Sequence, residues 1–503
     1  MYKYRTALVL IFVVVAITAG ASEQSQSSRS TVTTHESGSA SPQVWVLPKQ
    51  GPPTSSVSVQ GAGFDPLTAI DIYFDSTVLA STTSDKNGAF GTGVITATGA
   101  TVVHIQVPAT ALPGQHAITA QEHVGQESAQ TSFLVATDWS RYHFDLESSG
   151  LNPYENLLGA RNVGNLAFRW AGCGDTYIDS SPAVVNGVVY IGTWSGEICA
   201  LDANTGTLLW EVQTNNQAGS SPAVVNGIVY EGSDRLYALS ASTGNPVWIF
   251  GAGQDEFWSS PAVADGIVYA ASQFTNTIWA LDANTGVVIW QQVLGVGGFF
   301  GSPAVANDIV YMGSPDNNVY AFNAKTGAIV WKYTTQGQVD SPPAVVDGVV
   351  YVGSFDGYLY ALDANTGALI WKYAAVGSGG VQSGPAVANG VVYVGSSAYG
   401  TGMFAVDAKT GTLIWQALTA YPVPGSPSVA NGVVYVGVDG NDGTVYALDP
   451  NTGAILWQHA TGRYVDSSPV VVNGVLYVGS GGGAVQAFSL PGQQMTEKSK
   501  PPD

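Results

Sequence analysis

Ala361-Leu362-Asp363-Ala364-Asn365-Thr366-Gly367-Ala368-Leu369-Ile370-Trp371 is the stretch that decides the fold of this 503-residue chain. The middle of the stretch predicts a tight turn, because Gly accepts a positive φ and the Asp side chain can bond to backbone beyond itself. The final Trp is a large apolar anchor suited to the gap between two packed sheets. Near-copies of the pattern Ala-x-Asp-x-x-Thr-Gly-x-x-x-Trp end at six further tryptophans: Trp210, Trp248, Trp290, Trp331, Trp415 and Trp457.

The stretch belongs to a repeat that runs through residues 164–490. Each unit starts at an anchoring proline. Seven of the eight continue through an Asn-Gly or Asp-Gly dipeptide typical of a hairpin turn, and the first seven end near a tryptophan. The anchoring prolines lie 39 to 42 residues apart: Pro182, Pro222, Pro261, Pro303, Pro343, Pro385, Pro427 and Pro469. Four strands in a period of about 40 residues predict the blade of a β-propeller.

The two ends of the repeat predict how the propeller closes. There are eight proline-anchored starts but only seven complete tryptophan motifs, and the last unit stops at Pro491-Gly492 without its tryptophan strand. An isolated strand, Leu166 to Trp170, precedes the first unit. We expect this strand to complete the last blade, which closes an eight-bladed ring and removes two open sheet edges. Trp170 then becomes the eighth docking tryptophan.

The residues before the repeat divide into four parts. Lys3, Arg5 and the apolar run Leu8 to Ala19 predict an export signal over residues 1–21, and no Cys follows it directly, which argues against a lipid anchor. Residues 22–42 are Ser- and Thr-rich and predict a flexible linker. Short strand-like runs separated by turns predict a small β-sandwich over residues 43–136. Residues 137–163 are expected to be a connector, and residues 491–503 a tail.

Two patterns in the sequence resemble known protein families. The repeated motif resembles the tryptophan-docking motif of pyrroloquinoline-quinone (PQQ) propellers, which include quinoprotein dehydrogenases and the outer-membrane assembly propeller. The run Gly61-Ala62-Gly63-Phe64-Asp65-Pro66 resembles bacterial immunoglobulin-like modules. Together they imply an all-β protein, in which an eight-bladed propeller of four-stranded blades follows a small immunoglobulin-like sandwich.

The resemblance to quinoprotein dehydrogenases implies PQQ over the propeller axis, beside two adjacent cysteines, a calcium ion and a catalytic Asp. Here the only cysteines, Cys173 and Cys199, are 26 positions apart, so the adjacent pair is absent. Trp258 occupies a position similar to that of the family's cofactor-stacking Trp. The alternative is that it is an aromatic loop residue that packs on its neighbour. The family's calcium ligands and catalytic Asp are not matched residue by residue to positions of this sequence. The sequence therefore favours a non-enzymatic protein, with a PQQ- and calcium-dependent alcohol or sugar dehydrogenase as the alternative.

Charge and composition reduce the range of possible functions further. The net charge of −20 argues against nucleic acid as a partner, since phosphate binding needs clustered Lys and Arg. His459 is the one histidine of the repeat, which argues against a His-rich metal site or a Ser-His-Asp triad. We expect a binding or scaffolding protein in the periplasm, on the cell surface or outside the cell. Its partner would be an envelope or extracellular protein, and a carbohydrate-binding surface protein is a further alternative.

The two cysteines are candidates for a disulfide, because an exported protein meets an oxidising compartment. Cys199 takes a slot that is aromatic in six repeats, and Cys173 lies just past Trp170. Two buried free thiols are the alternative.

One face of the propeller is expected to bind the ligand or partner. The Asn-Gly and Asp-x-x-Thr-Gly turns repeat almost unchanged on one face and serve the fold. The opposite face carries loops that vary between blades, and binding residues favour such loops on a rigid scaffold. Packing of loop against loop is the alternative for their aromatic residues. The candidates are Asp175, Tyr177, Asp179, Trp194, Asp255, Glu256, Phe257, Trp258, Phe274, Phe299, Phe300, Asp316, Asp340, Phe355, Asp356, Tyr399, Tyr421, Arg463, Tyr464 and Asp466.

Overall fold

The computed structural model describes residues 41–91, 102–125, 127–174, 177–252, 255–295, 298, 301–375, 380–419, 421–441 and 443–493. The predicted export signal, nearly all of the predicted linker and most of the predicted tail lie outside these ranges, as do Asp175, Phe299 and Phe300. Within them, the chain has no helix of the length and hydropathy needed to cross a membrane.

Residues 43–135 form two facing sheets. Hydrophobic residues alternate along the strands, as in the buried Val57 and Val59, and the inward side chains meet in one core around Ile70, Ile118 and Phe133. The sheets have the orders β1-β3-β6 and β2-β8-β7-β4-β5. The strands are Gln43–Leu47 (β1), Gln50–Gly51 (β2), Ser56–Ala62 (β3), Ala69–Phe74 (β4), Thr77–Thr83 (β5), Val103–Gln106 (β6), Gly114–Glu122 (β7) and Ser128–Val135 (β8).

The connector contains one short strand, Leu151–Asn152 (β9), and one 3-10 helix, Val163–Asn165 (η1). Eight sheets follow, and each is built from four consecutive strands of the repeat except the last. The first sheet contains Ala183–Val185 (β11), Val188–Gly192 (β12), Glu197–Asp202 (β13) and Leu208–Gln213 (β14). The second contains Ala223–Val225 (β15), Ile228–Gly232 (β16), Leu236–Ser240 (β17) and Pro246–Phe250 (β18), and the third contains Ala262–Ala264 (β19), Ile267–Ser272 (β20), Thr277–Asp282 (β21) and Val288–Val293 (β22). The fourth contains Ala304–Ala306 (β23), Ile309–Ser314 (β24), Asn318–Asn323 (β25) and Ile329–Thr334 (β26).

The remaining sheets keep the same order. They contain Ala344–Val346 (β27), Val349–Gly353 (β28), Tyr358–Asp363 (β29) and Leu369–Ala374 (β30); Ala386–Ala388 (β31), Val391–Gly395 (β32), Met403–Asp407 (β33) and Leu413–Ala417 (β34); Ser428–Ala430 (β35), Val433–Val438 (β36), Thr444–Leu448 (β37) and Ile455–Ala460 (β38); Val470–Val472 (β39), Val475–Ser480 (β40), Ala484–Ser489 (β41) and, from the start of the repeat, Ala167–Gly172 (β10). Because β10 pairs antiparallel with β41, the prediction of a last blade shared between the two ends of the repeat is confirmed.

The docking tryptophans join each sheet to the next. Each indole Nε1 donates to a carbonyl oxygen 2.8–3.1 Å away in the following sheet or, for the seventh sheet, just before β10: Trp170 to Ala203, Trp210 to Ala241, Trp248 to Ala283, Trp290 to Ala324, Trp331 to Ala364, Trp371 to Ala408, Trp415 to Pro450 and Trp457 to Leu166. The ring lies against the glycine of the neighbouring turn. At Gly206, with φ +70°, an added Cβ would lie 2.6 Å from the ring of Trp170, so both backbone conformation and packing require glycine there.

The connector does more than link two domains, which the sequence did not predict. Residues 139–152 pass along the innermost strands of all eight sheets and hydrogen-bond to each in turn. The contacts follow chain order: Trp139 with Val184, Ser140 with Val224, Arg141 with Val263, Leu146 with Val305, Glu147 with Val345, Ser149 with Val387, Gly150 with Val429 and Asn152 with Val471. Strand β9 extends the seventh sheet by pairing parallel with β35. The connector therefore fills the inner edge of the ring.

Candidate functional site

A cavity of about 460 Å³ lies where the first strands of the blades converge. Its lining includes Tyr142 of the connector, together with the residues just before the anchoring prolines of several blades. The Tyr142 hydroxyl is 2.5 Å from Ser426 Oγ, and its ring stacks on the buried His143. Tyr142 thus joins the connector to the wall of the cavity.

A ring of serines encircles the cavity. Six blades place Ser directly before the anchoring proline, and backbone N–H groups donate to the serine hydroxyl of the next blade. The donor and acceptor pairs are Ser181 to Ser221, Ser221 to Ser260, Ser260 to Ser302, Gly384 to Ser426, Ser426 to Ser468 and Ser468 to Ser181, at 2.6–3.1 Å. Pro342 and Gly384 take the corresponding positions in the fifth and sixth blades. The last blade is thereby bonded to the first around the cavity.

Three carboxyl groups line the cavity beside the serines: Asp179, Asp340 and Asp466. Burial, reinforced by the charge of Asp466, raises the pKa of Asp179 to about 7. Burial also raises the pKa values of Asp340 and Asp466 to about 6. Oδ1 of each is buried and has no hydrogen-bond partner among the described residues. Since these groups lack a compensating positive charge, a cationic group entering the cavity would favour their ionised form.

Four aromatic rings form a chain beside these carboxyl groups, and we call Tyr177, Trp194, Trp258 and Tyr464 the aromatic rim. Successive ring centroids are 6.0 Å apart for Tyr464 and Tyr177, 4.9 Å for Tyr177 and Trp194, and 6.1 Å for Trp194 and Trp258. All three contacts are edge-to-face, which is a favourable arrangement of aromatic pairs.

Hydrogen bonds hold the aromatic rim to the carboxyl groups. Trp194 Nε1 donates to Asp179 Oδ2 at 2.7 Å, and the Tyr177 hydroxyl donates to Asp466 Oδ2. Trp258 Nε1 donates to Glu256 Oε2 at 3.3 Å. Trp194 and Tyr464 remain 36% and 39% exposed, so their rings are available at the surface, and the indole N–H of Trp194 is held by its hydrogen bond. The arrangement presents stacking faces and hydrogen-bond acceptors side by side.

Some of the residues predicted for this face contact one another in the structure, and others lie apart from that group. The aromatic rim, Asp179, Asp466 and Glu256 form one connected group, and Phe355 and Asp340 line the same cavity. Tyr399 pairs instead with Tyr421, at 6.4 Å between ring centroids, and Phe274 is exposed in the loop between β20 and β21. Asp255 accepts the Ala252 N–H, Asp356 accepts the Tyr360 hydroxyl, and Arg463 is exposed next to Tyr464.

Of two further candidates, Phe257 is turned away from this face, and Asp316 is hydrogen-bonded within its own blade as Asp356 is. Phe257 is fully buried and packs edge-to-face on Phe250, because the loop turns its side chain into the gap between blades. Asp316 accepts a hydrogen bond from the Tyr320 hydroxyl at 2.7 Å, which engages its side chain within its own blade. A position in a variable loop therefore did not ensure an exposed or free side chain.

Sequence reasoning also missed part of the cavity lining. The sequence signal for the serine ring is a Ser directly before six of the eight anchoring prolines. Gln382 lines the cavity at the position that Asp179, Asp340 and Asp466 take in their blades, three residues before the proline. An alignment of the repeats at that position would have identified these four residues from the sequence.

The cavity does not fit PQQ, the cofactor that the fold family implies. PQQ carries three carboxylates, whereas the lining contributes Asp179, Asp340 and Asp466 and, among the described residues, no Lys or Arg. Burying like charges together without a partner is unfavourable. The two cysteines form a disulfide between Cys173 and Cys199, and neither lines the cavity.

Comparisons with known proteins agree with the fold. A family model described as outer membrane protein assembly factor BamB matches residues 165–249, 228–315, 275–422 and 401–495. Outer membrane protein assembly factor BamB of Salmonella typhimurium is 30% identical over 71 residues, 14% of this chain and 18% of that protein. The chain therefore matches less than a fifth of the length of this curated relative.

Solved structures show the same architecture at low sequence identity. BamB from Moraxella catarrhalis is 22% identical with a TM-score of 0.56, over 65% of this chain and 99% of that one. Quinohemoprotein alcohol dehydrogenase from Comamonas testosteroni is 18% identical with a TM-score of 0.61, over 72% of this chain and 82% of that one. At these identities the two likenesses support the fold alone.

Proposed function

Since the chain belongs to the family of the outer membrane protein assembly factor BamB, we propose that it is a binding or scaffolding protein of the cell envelope whose partner docks on the aromatic rim. The observation that carries the proposal is the connected group of four rings and two carboxyl groups at the cavity. Aromatic side chains are enriched where protein surfaces meet, because they offer large contact area and keep a polar edge. The rigid blades hold this group in place.

The charge of the site indicates the chemistry of the partner. Asp179, Asp340 and Asp466 sit in one lining, and the chain as a whole carries a net charge of −20. A segment carrying Lys or Arg would pair with these carboxylates and be attracted from a distance. The proposed partner is therefore a protein that presents a basic segment to the cavity, with its flanking residues on the aromatic rim.

The first test identifies the partner and then measures it. Proteins captured from the envelope fraction would be purified, and their affinity measured for the native protein and for Trp194→Ala and Tyr464→Ala. Loss of a central interface aromatic weakens binding by roughly 30-fold or more when it is a hot spot. Tyr399→Ala, which removes a more exposed ring away from the aromatic rim, is the matched control and should bind normally.

The acidity of the site gives a second measurement on the same pair. Because the raised pKa values are about 7 for Asp179 and about 6 for Asp340 and Asp466, these groups ionise as pH rises through that range. A basic partner should therefore bind more tightly at pH 8 than at pH 5.5. Unchanged affinity in the rim variants, with loss only in Asn365→Ala on the opposite face, would show that the binding face was assigned wrongly.

Two results would change the class of function. Binding to a glycan array without any protein partner would favour a carbohydrate-binding surface protein. Saturable binding of PQQ with calcium, followed by dye-linked oxidation of an alcohol or sugar, would favour a dehydrogenase. The carboxyl lining argues against the second result, because PQQ itself carries three carboxylates.

A further inference from the structure

Three carboxylates converge at one end of the N-terminal sandwich, away from the propeller repeat in the chain. Asp65 lies in the loop between β3 and β4, Glu122 ends β7, and Glu127 immediately precedes β8. One carboxylate oxygen from each lies within 4.8 Å of the other two. Among the described residues, none of the ion pairs involves any of the three, so the negative charges face one another without a compensating side chain.

Glu122 is the central member of this cluster. Its side chain is only 3% exposed, and Oε1 accepts the backbone N–H of Asp65 at 2.7 Å. The other oxygen, Oε2, is buried and has no hydrogen-bond partner among the described residues, and the same holds for Oε2 of Glu127. A buried carboxylate oxygen without a partner is costly, so two of them side by side point to a positively charged ligand.

The backbone fixes the three carboxylates before any ligand arrives. The Glu122 N–H donates to the Glu127 carbonyl at 3.1 Å, which closes the β7–β8 hairpin. The Asp65 carbonyl accepts the Ser84 hydroxyl at 2.5 Å, which anchors the β3–β4 loop. Gly125 lies directly against the cluster, where an added Cβ would come within 1.6 Å of Glu122 Oε2. A larger residue at this position would require the Glu122 carboxylate to move.

We infer that Asp65, Glu122 and Glu127 form a calcium site. Ca²⁺ takes oxygen ligands at about 2.3–2.6 Å, so two ligand atoms on opposite sides of the ion can be roughly 5 Å apart. The observed separations fall within that limit. Mg²⁺ requires shorter bonds and near-ideal octahedral geometry, and Zn²⁺ prefers nitrogen and sulfur ligands, so an all-carboxylate set favours Ca²⁺. The ion would link the loop that joins the two sheets to the β7–β8 hairpin of the five-stranded sheet.

Calorimetric titration of the full chain tests the site. After treatment with a chelator, the native protein should bind one Ca²⁺ with a Kd of about 10⁻⁴–10⁻³ M, the range of extracellular calcium modules. Glu122→Gln should weaken this binding by more than about tenfold, because it removes one of three charged ligands. Asp65→Asn, at an exposed residue that is less important for folding, should also weaken it. Calcium should raise the melting temperature of the native protein more than that of either variant.

The control for charge is Glu211→Gln, which removes one carboxylate from an exposed position on β14 and should leave calcium affinity unchanged. Circular dichroism without calcium would show that each variant is folded. The proposal is overturned if the native protein binds no Ca²⁺ at 10-fold above the upper Kd stated here, or if both site variants bind it as the native protein does. Equal affinity for Mg²⁺ would overturn the assignment to calcium.

Discussion

Glu231 is the residue at which the repeat departs furthest from its own pattern. It lies in β16, fully buried, at a position where the other blades place Ile191, Ala270, Met312 and four valines. Neither carboxyl oxygen has a hydrogen-bond partner among the described residues. Burial raises the pKa of Glu231 well above its usual value, so the group is held neutral in the folded protein. A buried carboxyl without partners destabilises the fold.

Replacing this group should stabilise the protein. Glu231→Met copies the fourth blade, where Met312 faces Tyr320 in the register that Glu231 has with Tyr237. We expect the free energy of unfolding to rise by about 1–3 kcal/mol, the cost of an unsatisfied buried polar group. In the native protein the unfolded chain ionises at Glu231 above pH ~4.3, whereas burial raises the pKa of this carboxyl in the folded chain, so stability falls as pH rises. The advantage of the variant should therefore be larger at pH 8 than at pH 5.

Thermal melts of both proteins at the two pH values measure this. Val352→Met, at the same position of a blade with an apolar residue, is the control for the change in volume and should not stabilise. A variant that melts below the native protein at both pH values would mean that Glu231 has an interaction that offsets its burial.

The connector is the element whose role in stability is largest for its length. Residues 139–152 hydrogen-bond to the innermost strand of every sheet, and Glu155 Oε2 also accepts the Gly474 N–H at 3.0 Å in the last blade. Each such bond contributes roughly 1 kcal/mol net. The sandwich, by comparison, bonds to the rest through contacts such as Gln50 to Asn186 and Asn156 to Ala111. The propeller should therefore tolerate loss of the sandwich better than loss of the connector.

Three truncated chains separate these contributions. A chain starting at residue 137 should melt near the temperature of the full propeller. A chain starting at residue 153 should melt well below it, since the bonds to the inner strands are gone. A chain starting at residue 173 also lacks β10, which leaves β41 as an open edge, and it should aggregate. Equal melting of the first two chains, measured by circular dichroism, would contradict the role given to the connector.

The same elements show what sequence could and could not predict. The Asn-Gly turns and the Thr-Gly-Trp motif were predictable because each signal is local and repeated many times. The shared strand was predictable because eight proline-anchored starts are matched by only seven complete tryptophan motifs. The connector was not, since its partners lie up to 319 residues away in Val471 and its own sequence does not repeat. At the site, Tyr177 and Tyr464 come from opposite ends of the repeat, so only the closed ring shows that they touch.

Closure of the ring is a property of the whole molecule, and several contacts contribute to it. Trp170 bonds from the last sheet to Ala203 of the first, and Ser468 bonds to Ser181. The disulfide between Cys173, just past β10, and Cys199 in β13 adds a covalent link across the same junction, closing a loop of 26 positions. The junction between the two ends of the repeat is therefore held by a covalent bond as well as by hydrogen bonds.

Removing the disulfide should lower stability without opening the ring. In the chain-entropy treatment a loop of this length contributes roughly 3–4 kcal/mol. The double variant Cys173→Ser, Cys199→Ser should therefore unfold at lower denaturant concentration and lower temperature, yet keep the far-ultraviolet spectrum of the native protein. Reductant should shift the native protein toward the variant and leave the variant unchanged. A native protein indifferent to reductant would show that the link adds nothing to the other closing contacts.

The path of the connector has a consequence for the timing of assembly. Synthesis delivers the chain from its N-terminus, so residues 139–152 leave the ribosome before any blade does. The blades then emerge in the order in which their inner strands meet successive residues of this segment, from Val184 on Trp139 to Val471 on Asn152. Each new blade can therefore bond to a residue of this segment that has already left the ribosome. We expect the segment to order the blades in the direction of synthesis and to be enclosed when the last blade pairs with β10.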